Sequence, residues 1–219
     1  MLNNLLEQVL THYSGQELDY PQEAPDIIVI LSYGTLPQRL TAATRENTIK
    51  GANIWRLYPN ALIVFGNAEY LFHRAAYTEC RYKETILQQL GVPESRILDV
   101  GAINNSIQEP LATRDALQKR HITAEKICLV TGRIHKPSAY LIWKYFFPEA
   151  DIAVATIPHG YEYQPDHPVL VQRGAWRWLA ANMARHYGFL ASVYCEKHLR
   201  FIPFTPARLA QLHHRASID

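Results

Sequence analysis

Cysteine is scarce: Cys80, Cys128 and Cys195 are the only three in 219 residues. Their odd number and wide spacing exclude a disulfide framework and a CxxC metal pair, and reduced thiols in a cytoplasm are the plain reading. An excess of one charge is equally absent, since a formal net charge of +2 supplies no field that would draw nucleic acid or acidic lipid. No run approaches the roughly 20 apolar residues that a membrane-spanning helix needs. The opening MLNNLLEQVLTHYS has helical periodicity but lacks the basic start and long apolar run of a targeting segment. Chemical signatures are missing too. Without GxGxxG a standard dinucleotide dehydrogenase is not expected, and without GxSxG or GxxxxGK[ST] the commonest hydrolases and nucleoside triphosphatases fall away. His73, His159, Asp166 and His167 match no short ligand motif such as HExxH, so no metal site is expected.

What is present is an ordinary globular composition, 48% apolar and 19% charged, with no linker-like or repeated segment to divide it. One domain over residues 1–219 follows, with an N-terminal helix at 1–14, a core at 26–190 and a tail at 191–219. Five short apolar runs recur: Asp26–Leu31, Ala61–Phe65, Ile97–Val100, Ile127–Val130 and Ile152–Ala155. Each breaks at small or polar residues, and helix-length segments separate them. Continuous rather than alternating apolar runs mean strands buried on both faces, and helical spacers mean βαβ crossovers. The fold expected is α/β, a three-layer α/β/α Rossmann-like arrangement around a mainly parallel sheet.

The spacers carry helix punctuation. Ile49, Ala52 and Trp55 fall three apart before Tyr58-Pro59. YTECRYKETILQQL stops at Gly91-Val92-Pro93, Ser106-Ile107-Gln108-Glu109 has capping-box spacing, and Pro137 opens the segment after the fourth strand. Val169 to Leu190 reads as a long closing helix.

The order of these features resembles the YdcF/SanA-like family of bacterial proteins, a domain of unknown function, over roughly Asp26 to Leu190. The family pattern is a glycine-rich turn after the first strand, SGG after the second, SEA…GVP, ExxSxNT and VTSxxHxxRA. Here Thr78-Glu79-Cys80 stands for SEA, Asn105-Ser106 for NT, and Thr131-Gly132…His135…Ser138-Ala139 for the last motif. The chain departs from the pattern at Asn67, where a glycine is usual, at Val100 for the glutamate, at Ile103 for the serine and at Ser138 for the arginine. The resemblance implies the fold and no established activity.

In an open parallel sheet, ligands bind beyond the carboxyl ends of the strands, where helix N-termini offer free N–H groups and partial positive charge. The turns at that end supply Ser32, Gly34 and Thr35, then Gly66 and Asn67, then Asn105 and Ser106, then Thr131, Gly132, Arg133 and Lys136 as ligand-binding candidates. A small molecule with an anionic group, nucleotide-like or phosphorylated, is the natural guest; no cofactor is indicated. His135, expected in a solvated turn beside Thr131 and Arg133, suits a general acid or base near neutral pH. The resemblance makes Glu79 a pocket carboxylate; as a residue at a helix start it equally complements the dipole. Three readings stand: a small-molecule enzyme using His135 and Glu79, a non-catalytic binding or regulatory module using the same cleft, and an interaction protein docking through the helix that carries Trp176 and Trp178.

Overall fold

The computed structural model describes residues 2–15, 20–36, 38–68, 78–103, 105–158, 161–165, 167 and 169–199. His73, Asn104, His159, Asp166 and the tail beyond residue 199 lie outside the described residues.

The five apolar runs form one parallel sheet. In chain order its strands are β1 (Ile27–Ile30), β4 (Leu62–Asn67), β5 (Ile97–Ala102), β6 (Lys126–Gly132) and β7 (Asp151–Ile157), arranged β5-β4-β1-β6-β7. Between β1 and β4 a two-residue hairpin, β2 (Thr35–Leu36) with β3 (Arg39–Leu40), stands apart from the sheet. Gly34, at φ +88°, takes the left-handed backbone that leads into it, a conformation glycine adopts without steric cost. The sequence reading did not contain this hairpin; its strands are too short to carry a period.

Helices cover both faces. On one, α2 (Ala42–Leu57) and α3 (Glu79–Gln89) place Ala52, Ile54, Cys80 and Leu87 against Ile28, Ile30, Ile63 and Cys128. On the other, α4 (Gln108–Lys119) and α5 (Lys136–Phe146) place Leu117, Ala139 and Trp143 against Val29, Val64, Leu98 and Leu129. Alternate residues of a strand face opposite ways, so β1 feeds both cores, and its residues Ile27 to Ile30 are wholly buried. Thr41 and Thr78 cap α2 and α3 by accepting the N–H of Thr44 and Arg81.

Two further helices close the carboxyl end of the sheet. Leu6 and Leu10 of α1 (Leu2–Ser14) pack with Trp178 and Leu179 of α6 (Ala175–Leu199) around Tyr33, Ile134 and Ile157. The closing helix begins later than its sequence suggests, because Leu170–Arg173 form a 3-10 turn, and it runs on to Leu199. Strand order reverses between β1 and β6. The crevice expected of this fold therefore opens at Leu31–Gly34 and Gly132–His135.

Candidate functional site

The expected residues follow the carboxyl ends of the strands and, Gly34 and Thr35 apart, fall into three neighbourhoods. The first surrounds Ser32, just past β1. Its hydroxyl donates to the Gly66 carbonyl at 3.1 Å and accepts from Lys83 Nζ at 2.7 Å. Lys83, wholly buried on α3, also donates to the Gly66 carbonyl at 3.1 Å and pairs with Glu79 Oε1 at 3.0 Å. Three oxygens thus surround Nζ, Ser32 Oγ and the Gly66 carbonyl as hydrogen-bond acceptors and Glu79 Oε1 as the ion-pair partner. Glu79 in turn accepts the Ala68 N–H at 3.2 Å and gives its own N–H to Asn67 Oδ1 at 3.1 Å. Asn67 is thus engaged at the start of α3. Over Gly66, the Ile103 side chain fills the space a Cβ would need.

Glu109, in the first turn of α4, reaches into the same neighbourhood and is 4% exposed. Burial pushes its carboxyl up to about 8, and the negative charge of Glu79 adds to this, while Lys83 and the Ser32 N–H oppose it. Its Oε1 has no hydrogen-bond partner among the described residues. The capping box expected at Ser106–Glu109 does not form. Asn105 Oδ1 instead accepts the N–H groups of Ile107 and Gln108 at 2.9 and 3.0 Å, leaving Glu109 to turn inward.

The second neighbourhood fills the crevice. Tyr33 lies across it, its hydroxyl 3.2 Å from Thr131 Oγ1 and accepting the Gly132 N–H at 3.0 Å. Its carbonyl meets His167 Nε2 at 3.1 Å. Above Gly132 sits the Glu162 carboxylate, itself 1% exposed, which accepts the Ile134 N–H at 2.6 Å. The expected solvated cationic turn is therefore a buried one. The Arg133 guanidinium points to α1 and bonds Glu7 Oε2 at 2.9 Å and Thr11 Oγ1 at 2.8 Å. Lys136 is half-buried at the start of α5, with Pro137 beside it in the first turn.

His135 is 7% exposed, covered by α6. Asn182 gives its amide N–H to the Trp178 carbonyl, so its Oδ1 faces His135 Nδ1, which donates at 2.7 Å. Ser138 Oγ is 3.1 Å from the same nitrogen. Burial, reinforced by nearby Arg185, drops the imidazole to about 3, against a partial opposing effect of the Asn182 bond. At physiological pH the ring is neutral and enclosed. The expectation of a solvated acid–base His135 is corrected on this point, because Trp178 and Asn182 of α6 close over it.

The third neighbourhood is a cavity of about 360 Å³. Asn105, Ser106 and Ile107 line one side, Ile142 of α5 the floor, and Arg185, Gly188, Phe189 and Ser192 of α6 the other side. Arg185 donates to Asn182 Oδ1 at 3.1 Å, and its guanidinium lies 5.6 Å from the Trp178 ring. Gly34 and Thr35 belong to the hairpin turn and to none of the three groups: the Gly34 carbonyl accepts from Thr44 Oγ1, and Thr35 pairs with Leu40. Trp178 is a core residue, whereas Trp176 is 38% exposed.

Sequence reasoning missed Lys83, Glu109, Glu162, Asn182 and Arg185. For four of them a signal existed: a polar residue standing on an apolar helical stripe. Lys83 lies between Cys80 and Leu87, Glu109 in line with Thr113 and Leu117, and Asn182 and Arg185 between Trp178 and Phe189. Glu162 had none, since it acts from an irregular segment 28 positions away from its partner. Among the described residues no three His, Cys, Asp or Glu side chains gather as a metal site, and no helix is long and apolar enough to cross a membrane. No family model matches the chain, and neither the curated proteins nor the solved structures provide a match.

Proposed function

We propose that the protein binds a small molecule carrying an anionic group, phosphorylated or nucleotide-like, in the cavity between the start of α4 and α6. One observation carries this reading: Arg185 shares the cavity with Asn105–Ile107, the turn whose backbone precedes the positive end of α4, while Ile142 and Phe189 give the opposite character. A cation and a helix start at one side with apolar walls at the other suit a ligand with a charged head and an apolar body. Arg185 would clamp the anion through its planar donors.

The same cavity serves an enzyme or a non-catalytic module, and turnover separates them. His135, sealed and neutral, favours the module unless another group handles protons. Three free thiols, two of them buried, suit a reducing compartment and a cytoplasmic setting. The reading also keeps the kinship with YdcF/SanA-like proteins drawn from the motif order. Thermal-shift screening against nucleotides and sugar phosphates, repeated on Arg185→Gln, is the test. A ligand that raises the melting temperature of the wild type and not of the variant supports the reading; equal shifts in both would dismiss this cavity.

A further inference from the structure

The helix α6 is apolar on two sides. Trp178, Leu179 and Phe189 face the cores beneath it, the ordinary use of a surface helix. The opposite side, where charge is usual, carries Tyr187, Leu190 and Tyr194 at 57%, 40% and 64% exposure, with Trp176 about three turns before Tyr187. Ala180, Ala184 and Ala191 are exposed alongside them. Between Ala180 and Tyr194 the one Lys, Arg, Asp or Glu is Arg185, and it turns inward to Asn182 Oδ1 at 3.1 Å. Glu196 turns inward as well, accepting from the Tyr145 hydroxyl at 2.6 Å. The helix therefore gives its charges to the fold and shows its apolar side to solvent.

The exposed side divides lengthwise. At about 100° per residue, Trp176, Tyr187, Leu190 and Tyr194 form a raised row along one edge, and Ala180, Ala184 and Ala191 a low row beside it. Gly188 continues the low row, with nothing within 4 Å of where its Cβ would stand. Symmetry decides what such a surface fits. Two copies related by a two-fold axis along the helices bring the raised row of each against the low row of the other, with Tyr187 and Tyr194 of one copy straddling Ala191 of the other. An axis across the helices would set raised row on raised row. Ridges into grooves is how helices pack, so the face matches itself in the first arrangement. Any other partner would have to supply both rows in the same spacing; a second copy brings them.

We propose that the protein forms a two-fold homodimer through this face, the two α6 helices side by side and pointing the same way. Aromatic residues without charge are the composition of an interface core. The net charge of +2 leaves little long-range repulsion between copies. The three aromatic side chains present roughly 300 Å², on a scale of about 150–250 Å² for a whole one. With Leu190 and the alanines added, the two faces together fall at the low end of specific interfaces, under about 1,200 Å². Such an area gives a dissociation constant on the order of micromolar, so association is reversible. The dimer does not depend on a ligand in the cavity.

The test uses the full chain. Sedimentation from about 1 to about 500 μM should show the mass rise from 25.1 kDa to twice that value. Ala184→Glu puts an unpaired charge into the low row at an exposed helical position, where a good helix former leaves the fold intact. It should weaken association at least about tenfold without changing the melting temperature of the dilute protein; if it does melt early, Ala191→Glu repeats the measurement. Direction is read in a Cys195→Ser background, where Ala180→Cys should cross-link to its own copy through a short bismaleimide, and Ala191→Cys likewise. A mass of 25.1 kDa at every concentration would overturn the proposal, whether residues 200–219 or a lipid surface cover the face instead. Association untouched by both charge substitutions would overturn it too, as would cross-links that form only between Ala180→Cys and Ala191→Cys chains, the pattern of an antiparallel pair.

Discussion

The carboxylate of Glu162 takes the backbone N–H of Ile134 at 2.6 Å, directly over Gly132. The turn after β6 has the anion-seating features expected of it, and the chain's own carboxylate occupies them. A Cβ on Gly132 would overlap that carboxylate. Gly132→Ala should therefore destabilise the fold by about 1–3 kcal/mol, the range for overpacking. Glu162→Ala alone loses a buried hydrogen bond. The double variant should be less destabilised than the sum of the two, because removing Glu162 frees the space that the alanine needs. Urea unfolding of all four proteins measures the coupling, and simple additivity would mean that the two residues do not compete.

His135 gives a second prediction, one of sign. Its folded pKa, about 3, lies below the ordinary value of 6.5, so the native state binds fewer protons than the unfolded chain between those limits. Stability from the neutral ring is present above pH 6.5 and is lost as pH falls toward 3, by about 1.4 kcal/mol for each pH unit well inside the window. His135→Gln cannot titrate. It should be less stable than the wild type at pH 7, since it disturbs a packed site, yet lose less on going to pH 4. Unfolding free energies at the two pH values check this; parallel losses would show that the acid sensitivity comes from elsewhere.

These two sites mark what could and could not be read from residues in order. The strands were legible because runs such as Ile27–Ile30 and Ile127–Val130 are apolar without alternation, a pattern that only two-sided burial explains. Pro137 marked the start of α5 for an equally local reason. Side-chain direction was not legible. Arg133 and His135 are close in sequence, but the first bonds Glu7 on α1 and the second Asn182 on α6, and nothing in LVTGRIHKP encodes helices from the two ends of the chain. At Asn105 and Ser106, two residues of similar capping ability compete, and the backbone settled on the asparagine.

Arg133 holds α1 to the end of the sheet. Its side chain is 10% exposed while that of Glu7 is 44% exposed, so solvent screens the ion pair and the bond to Thr11 supplies a second tie. Arg133→Leu should cost about 1–2 kcal/mol, and more to the point should act locally. Hydrogen exchange in the second half of α1 should quicken, whereas the amides of β1 and β6 should change only by the global loss. Uniform acceleration across the sheet would mean that α1 is part of one cooperative core.

Glu109 predicts a pH dependence of opposite sign to that of His135. Its folded pKa, about 8, lies above the ordinary 4.5, so the native state holds a proton that the unfolded chain has released over that interval. Stability is fully present below pH 4.5 and declines as pH rises through 8, because burying the carboxyl as an anion opposes Lys83's limited compensation. Glu109→Gln keeps the shape and an acceptor for the Ser32 N–H without the charge. The variant should match the wild type near pH 5 and exceed it by pH 9, with the gap opening by up to about 1.4 kcal/mol per pH unit within the window. Urea unfolding at pH 5, 7 and 9 gives the slope. Taking the difference between variant and wild type cancels the contribution of His135, which is complete above pH 6.5, so any pH-dependent gap that remains belongs to Glu109 and the two charges packed against it. A constant gap would mean that Glu109 is ionised in the fold throughout, leaving Lys83 to balance two carboxylates.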